Sequence, residues 1–405
     1  MGLWRRFQNL VLDNHFTGAK SLFSVDLTRQ LFGNTATPPS TTGDRSEPAV
    51  VQDSTSQTPV VHAGNQKNRQ ATGALKMERI RLASPILTFQ SLRSALNEPC
   101  KIECFPLVDR KMIWADHLGR PFLFDAETRQ MEILPVPHKS KWMPFSLFVP
   151  NVDADNSYDH QGTGSSLYIM ERIPKPEANC STHWSNQFEV FVYKPSVTSY
   201  FKSWQCQLLP PPPYIREPKY QDCCSGHEIS SYAVVGIGNS FYICISVKGI
   251  GTYCLDTAHH TWRKVGKWTL PFHGRVEYVP ELKLWFGLTA TGHLAAADLS
   301  AIDSQPQLVS YWKQLYMPEE WKQSKDSQFV NLGSGRFCIA RFFHARTLDG
   351  GSGGDVDENI AVFTSVEVVR HVQDANSDNG GFELRMIPHK SLCHKSTGVT
   401  IDAVF

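Results

Sequence analysis

Short apolar runs separated by polar turn formers follow one another along the chain. YAVVG (from Tyr232), SFYICIS (from Ser240), GTYCLD (from Gly251) and TWRKVG (from Thr261) stand in sequence, each bounded by Gly, Asn, Asp or Pro. Runs this short, rich in β-branched and aromatic residues, predict strands joined by tight turns. The order recurs in KIECFPL, RKMIWADH, RPFLFDAE and QMEILPV, and again in PFSLFVP, SLYIMERI, QFEVFVYK and KSWQCQLL. Two more groups are RVEYV, LKLWFGLT, HLAAADL and QLVSYWK, then QFVNL, RFCIARFFHAR, NIAVFTSVEVV and FELRMIPHKS.

Shared anchors make these groups repeats of one unit. Asp26, Asp125, Asp256 and Asp298 end third runs, Tyr193 takes that place once, and LPVPHKS up to Ser140 is echoed by MIPHKS up to Ser391. A sixth group is split: FQNLVLD, AKSLFSVDL and MERIRLA take its second, third and fourth places, and VTIDAVF (Val399 to Phe405) supplies the first. The expectation is an all-β, six-bladed β-propeller in a single domain, 1–405, closed by a C-terminal strand that completes the N-terminal blade. Such closure protects the sheet edges of a linear array. The blades fall at about 5–32 with 76–90 and 398–405, then 100–140, 143–213, 230–270, 274–313 and 327–392. Two β-sandwich domains would supply strands but not their recurring order.

Residues 33–75 lack Ile, Phe, Tyr and Trp and are rich in Thr, Ser, Pro, Gln and Gly, so burial cannot offset their ordering entropy. A disordered insertion is expected there, with Thr37-Pro38 and Thr58-Pro59 as candidate sites of proline-directed phosphorylation. Shorter polar insertions at 151–164, 348–358 and 373–381 read as loops on a rigid scaffold.

Charge narrows the partners. Forty Lys+Arg against 39 Asp+Glu leave +1, which argues against an electrostatic nucleic-acid binder. No run approaches the 18 or so apolar residues of a membrane span. Residues 1–13 lack a secretory apolar core, and the ten cysteines, several within strand runs, read as small buried hydrophobes in a reducing compartment. An intracellular protein, cytoplasmic or nuclear, is expected.

Candidate chemistry is sparse. Cys100 and Cys104, and adjacent Cys223 and Cys224, lack the second ligand pair that a zinc tetrahedron needs. His389, Cys393 and His394 offer zinc-type ligands, but the parallel with His138 makes His389 a blade-linker residue. Asp153, Asp155, Ser157 and Asp159 fail the calcium-loop pattern at Tyr158 and Gly164, and Asp349, Asp355, Asp357 and Glu358 read as a solvated loop. Gly236 and Gly238, like Gly333 and Gly335, lead into strands rather than helices and mark hairpins. His259 and His260 suit a turn, Trp204, Trp262, Trp285 and Trp312 a blade core, and Pro210–Pro213 a stiff linker rather than a ligand for a proline-reading module.

KWTLPFHGRVEYVPELKLWFGL (Lys267 to Leu288), LFSVDLTRQ, MPFSLFVP and SLYIMER resemble a plant family expanded in grasses and numerous in rice. That family is catalogued as a domain of unknown function, and its members look like divergent kelch-type propellers. The resemblance implies a kelch-like propeller over nearly the whole chain and brings no catalytic or binding residues with it. The paired glycines of ordinary kelch repeats are missing after the second strand, and no F-box-like segment precedes the repeats.

The leading expectation is therefore a non-catalytic protein-interaction module, a monomeric propeller with no catalytic residue, cofactor or metal, whose face loops bind a protein. One alternative is an enzyme or small-ligand binder using a central funnel lined near His138, His273 and His389. Another is a ubiquitin-ligase substrate receptor without an F-box. Converging His, Asp or Glu in the funnel would favour the first alternative, and an apolar plug would exclude it.

Overall fold

The structure, a computed structural model, describes residues 7–26, 30–32, 77–90, 103–107, 110–115, 120–150, 165–176, 184–196, 199–220, 227–313, 317–348, 355–372 and 382–405. The expected disordered insertion, 33–75, the insertions 151–164 and 373–381, and Cys100, Cys223 and Cys224 lie outside them.

The strands in chain order are β1 (Phe7–Asn14), β2 (Ala19–Asp26), β3 (Glu78–Arg79) and β4 (Leu87–Gln90), followed by β5 (Glu103–Pro106), β6 (Lys111–Ala115), β7 (Pro121–Asp125) and β8 (Met131–Ile133). Next come β9 (Pro144–Val149), β10 (Ser166–Glu171), β11 (Ser185–Ser196) and β12 (Ser199–Leu209), then β13 (Ile229–Ile237), β14 (Ser240–Val247), β15 (Gly251–Asp256) and β16 (Thr261–Gly266). The last are β17 (His273–Val279), β18 (Leu284–Leu288), β19 (Leu294–Ala297), β20 (Leu308–Trp312), β21 (Lys322–Gly333), β22 (Arg336–Leu348), β23 (Asp355–Val372), β24 (Phe382–Ser396) and β25 (Val399–Val404). Among the described residues helix is limited to short turns such as Pro213–Arg216 and Pro218–Tyr220.

The chain is all-β, built of several antiparallel sheets. Three have four strands each, in the orders β25-β1-β2-β4, β5-β6-β7-β8 and β9-β10-β11-β12. An eight-stranded sheet joins the meanders β13–β16 and β17–β20 by parallel pairing of β13 with β17. The last sheet runs β21-β22-β23-β24-β3.

One expected strand is misplaced. MERIRLA does not complete the split group: its short β3 pairs parallel to β24, and the fourth place beside β2 goes to β4. Ile80 explains the first contact, since its N–H bonds to the Cys393 carbonyl and its side chain is buried beside Leu31 and Leu392. Phe89 explains the second, stacking on Trp114 and Phe122 of the neighbouring sheet at 5.3 and 4.7 Å.

The middle strands are apolar on both faces because each face meets another sheet. In β6, Met112 and Trp114 join a core shared with β1 and β2, whereas Ile113 and Ala115 join one shared with β10 and β11. In β19, Ala295 and Ala297 pack toward β13 and β14, while Leu294 and Ala296 pack toward β22 and β23. A further core lies between β9–β11 and β13–β15, and another joins β1 and β25 to β21–β23.

The recurring aspartates close the third-to-fourth-strand turns. Asp125 Oδ1 accepts from the N–H groups of Glu127 and Thr128, Asp256 Oδ1 from Ala258 and His259, and Asp298 Oδ1 from Ser300. An aspartate that accepts from its own backbone two residues on mimics a turn, which gives the repeat its physical basis. The Ser334-Gly335 hairpin has φ of 53° and 70°, the left-handed pair that matches strand twist.

Two expectations need correcting. Cys244 and Cys254 are not separate small hydrophobes: they are direct partners in the β14–β15 ladder, with Cα atoms 4.2 Å apart, and form a disulfide. Residues 348–358 are not wholly loop, since β22 runs to Leu348 and β23 starts at Asp355. Asp357 and Glu358 there face Arg346 and Lys395, each at 3.3 Å, instead of converging on a cation.

Candidate functional site

A cavity of about 570 Å³ is lined by Pro106 of β5, Ser146 of β9, Tyr232 of β13, Arg275 and Glu277 of β17, Asp326 of β21 and Val404 of β25. A second hollow of about 840 Å³ shares His273, Leu288, Asp326 and Ser327 with it and adds Glu228 and Lys248. Strand β17 brings the charge: His273, Arg275 and Glu277 all line the first cavity, while Val276 is buried in the core toward β13.

Arg172, immediately after β10, organises the junction of the two hollows. Its Nη2 donates to Asp326 Oδ2 at 2.8 Å and to His273 Nε2 at 3.0 Å, and its Nε lies 2.7 Å from Glu228 Oε1. His273 Nε2 is also 3.2 Å from Asp326 Oδ2. That nitrogen serves one neighbour at a time, accepting from Arg172 when unprotonated and donating to Asp326 when protonated. The His273 hydrogen bond, with Arg172 behind it, outweighs burial and holds the Asp326 carboxyl well below the usual range. Burial opposes the Arg172 charge, but Asp326 and Glu228 more than compensate, so its pKa is raised.

Deeper in, Arg275 Nε lies 2.7 Å from Glu277 Oε1. Tyr232 is the ladder partner of Arg275 and stacks on Phe145 with ring centroids 4.1 Å apart. Burial raises the Tyr232 phenol, and the charges of Arg275 and Arg172 partly oppose it. Lys325 turns aside: its Nζ donates to the carbonyls of Ile401 and of Asp402, the latter at 2.7 Å, and sits 3.9 Å from the Phe342 ring centroid. Burial lowers its pKa to about 8. The arrangement offers prealigned N–H donors and carboxylate acceptors in a partly enclosed space, which suits binding of a polar molecule.

Of the three histidines expected at the funnel, His273 lines the cavity and His138 and His389 do not. The other two perform a different task. His138 donates its backbone N–H to the buried Glu189 Oε1 at 2.8 Å and lies 3.0 Å from it through Nδ1, while Lys141 Nζ approaches Oε2 at 2.8 Å. His389 Nε2 lies 3.2 Å from Glu367 Oε2. Each PHKS histidine thus pairs with a strand glutamate.

His138, Glu189 and Cys206 bring ligand-type atoms within 4.8 Å of one another. Their chemistry suits a structural network better than a metal, because Lys141 already compensates the carboxylate. The Cys206 thiol, pushed up to about 12 by burial and by Glu189, is not a thiolate. Cys104 sits in β5, its thiol raised by burial, and Cys393 and His394 lie in β24 and join no cluster of three ligands among the described residues.

The four tryptophans lie on strands. Trp262 Nε1 donates to the Pro210 carbonyl at 2.8 Å, fixing the proline run between β12 and β13, and Trp285 Nε1 donates to Val234. The glycine pairs stand at hairpins, and His259 and His260 in the turn after Asp256.

The sequence reading missed Arg172, Glu228, Tyr232, Arg275, Glu277 and Asp326. The alternating charges of HGRVEYV were the available signal, since a first strand of a repeat should not carry them without an enclosed polar space to face.

The profile of DUF1668, a protein family of unknown function, matches residues 5–394. The chain belongs to that family. No curated protein matches this DUF1668 sequence. Solved structures similar to it include the major allergen Mala s 1 of Malassezia sympodialis, 10% identical over 73% of this chain and 78% of that one, with a TM-score of 0.30. An engineered GH43 glycoside hydrolase with endo-xylanase and exo-arabinofuranosidase activity is also 10% identical, over 73% of this chain and 78% of its own, at a TM-score of 0.25. The β-propeller domain of Cps50 (Swd1) from Myceliophteria thermophila is 12% identical, over 66% of this chain and 92% of that one, at 0.28.

Proposed function

We propose that the chain is a six-bladed β-propeller, closed by β25 on β1, that binds a small polar ligand in its central cavity. The observation that carries the reading is the meeting of β5, β9, β13, β17, β21 and β25 at one cavity whose wall holds Arg172, His273, Arg275, Glu277 and Asp326. Six apolar cores, each between two neighbouring four-strand groups, support the circular order. A volume of about 570 Å³ falls in the range of small-molecule sites, roughly 300–1,000 Å³.

The test is retention. The protein is incubated with a small-molecule extract, washed and denatured, and the released compounds are measured by mass spectrometry. Ser146→Trp, which fills the cavity from β9, serves as the comparison. A compound retained by the wild type and not by the variant supports the reading, and identical profiles from two folded proteins refute it.

A further inference from the structure

Resting on that reading of the cavity, we propose that its ligand is a neutral polyhydroxylated molecule held through adjacent hydroxyls, a sugar or a cyclitol. The pairing of charges at the cavity wall decides against an ion, and Lys248, the further cation of the second hollow, lies exposed. Arg172 and Arg275 are matched by Asp326, Glu228 and Glu277, each of which lies 2.7 or 2.8 Å from one of the guanidinium groups. Lys325 directs its ammonium to two carbonyls and an aromatic face. An anionic ligand would have to compete with Glu277 for Arg275 and with Asp326 and Glu228 for Arg172. A cationic ligand would meet two guanidinium groups in the same space.

A hydroxyl group fits without a charge conflict, because it both donates and accepts. Among the described residues the terminal nitrogens of Arg275 bond to no protein group, and neither does Arg172 Nη1. The carboxylates have about four lone-pair sites each and use only some of them. One hydroxyl can therefore accept from a guanidinium N–H while its neighbour donates to the paired carboxylate, so each ion pair presents a ready-made seat for a vicinal diol. Tyr232, the ladder partner of Arg275, belongs to the lining of the same cavity. The fixed ion pairs also lower the cost of ordering the site on binding.

The experiment is calorimetric titration of the full chain with D-glucose, sucrose and myo-inositol, and with D-glucose 6-phosphate and D-gluconate as charged counterparts. Wild type, Arg275→Lys, Glu277→Gln and the remote Thr400→Ala are compared, each checked for folding by circular dichroism. The expected result is saturable binding of at least one neutral probe. It should weaken tenfold or more in both cavity variants, stay unchanged in Thr400→Ala, and exceed binding of the charged counterpart by at least tenfold. Whether myo-inositol or the sugars bind separates the two sources. Tighter binding of a charged counterpart, or no saturable binding of any neutral probe, overturns the inference. If the retention experiment yields an acid or an amine, the cavity reading stands and the polyol assignment falls. If it yields nothing sensitive to Ser146→Trp, both fall.

Discussion

Whether β25 is part of the fold or a dispensable strand is tested most sharply at Ile401. The side chain is 3% exposed and lies opposite Leu12 in the β1–β25 ladder. Its core includes Leu10 and Leu12 of β1, Val330 of β21, Phe342 of β22 and Phe363 of β23, so one residue ties the first strands to the last sheet. The edge of β25 that faces β21 is held by side chains: Gln328 Oε1 accepts from the Val404 N–H at 2.7 Å, and Gln328 and Lys325 donate to the Asp402 carbonyl at 3.1 and 2.7 Å. Ile401→Ala removes three carbon groups at about 0.8 kcal/mol each, roughly 2.4 kcal/mol of transfer free energy. The unfilled space raises the total to about 3–4 kcal/mol. Against a typical stability of about 5–15 kcal/mol, such a loss moves the whole transition. Urea unfolding followed by tryptophan fluorescence and far-ultraviolet circular dichroism reads it, with Thr400→Ala as control, since that hydroxyl bonds only to the exposed His15. A loss in Ile401→Ala within about 0.5 kcal/mol of the control would refute the closure argument, because surface changes alone account for that much.

Three further outcomes follow from the same contacts. Lys325 has a folded pKa of about 8, lowered from 10.5, so the folded chain releases this proton first and stability rises as pH climbs from about 8 toward 10.5. Relative to Lys325→Met, the wild type should gain about 1 kcal/mol between pH 8 and 9 in urea midpoints, and a constant difference would contradict the assignment. Lys141→Met strands the buried Glu189 carboxylate and should cost about 3–5 kcal/mol, part of it recovered by adding Glu189→Gln; an unchanged midpoint would show that the pair is solvated. Cys244 and Cys254 should resist alkylation of the unfolded chain until a reductant is added, and reduction should lower stability by about 2.7 kcal/mol for a loop of this length, whereas full alkylation without reductant would exclude the bond.

The all-β character was legible because turn formers bound nearly every strand and because middle strands buried on both sides read as unbroken apolar runs, as in GTYCLD and LWFGL. The recurring aspartates were legible as anchors, and their turn bonds supply the reason. Where two strand-like stretches competed, pattern alone failed: MERIRLA alternates as a strand does, yet it is Phe89 of β4 that finds Trp114, on a sheet that local sequence does not reveal. The disulfide was hidden for a related reason. Cys244 and Cys254 pair only once Val247 is known to face Gly251, and that register depends on a turn whose length the sequence leaves open. The cavity was the least legible part, since Arg172, Tyr232, Arg275 and Asp326 come from distant segments and meet only through the arrangement of whole sheets.

That arrangement also explains why the cavity, and not the more conspicuous PHKS histidines, is the site to test. Middle strands send alternate residues into two different apolar cores, so neither face tolerates a charge unless it is paired at once. Glu189 of β11 and Glu367 of β23 meet that condition: each is matched by a PHKS histidine, and in the first case Lys141 completes the neutralisation. Outer strands such as β8 and β20 are largely exposed and hold even apolar side chains, Met131, Ile133, Leu308 and Tyr311, at the surface. Strands β5, β9, β13, β17, β21 and β25 instead send residues to the partly enclosed cavity. In β17 this places Arg275 and Glu277 where their ion pair still leaves donors and acceptors unspent. Structural networks use up their polar atoms within the protein, whereas the cavity wall keeps some in reserve, and that reserve makes binding its testable property.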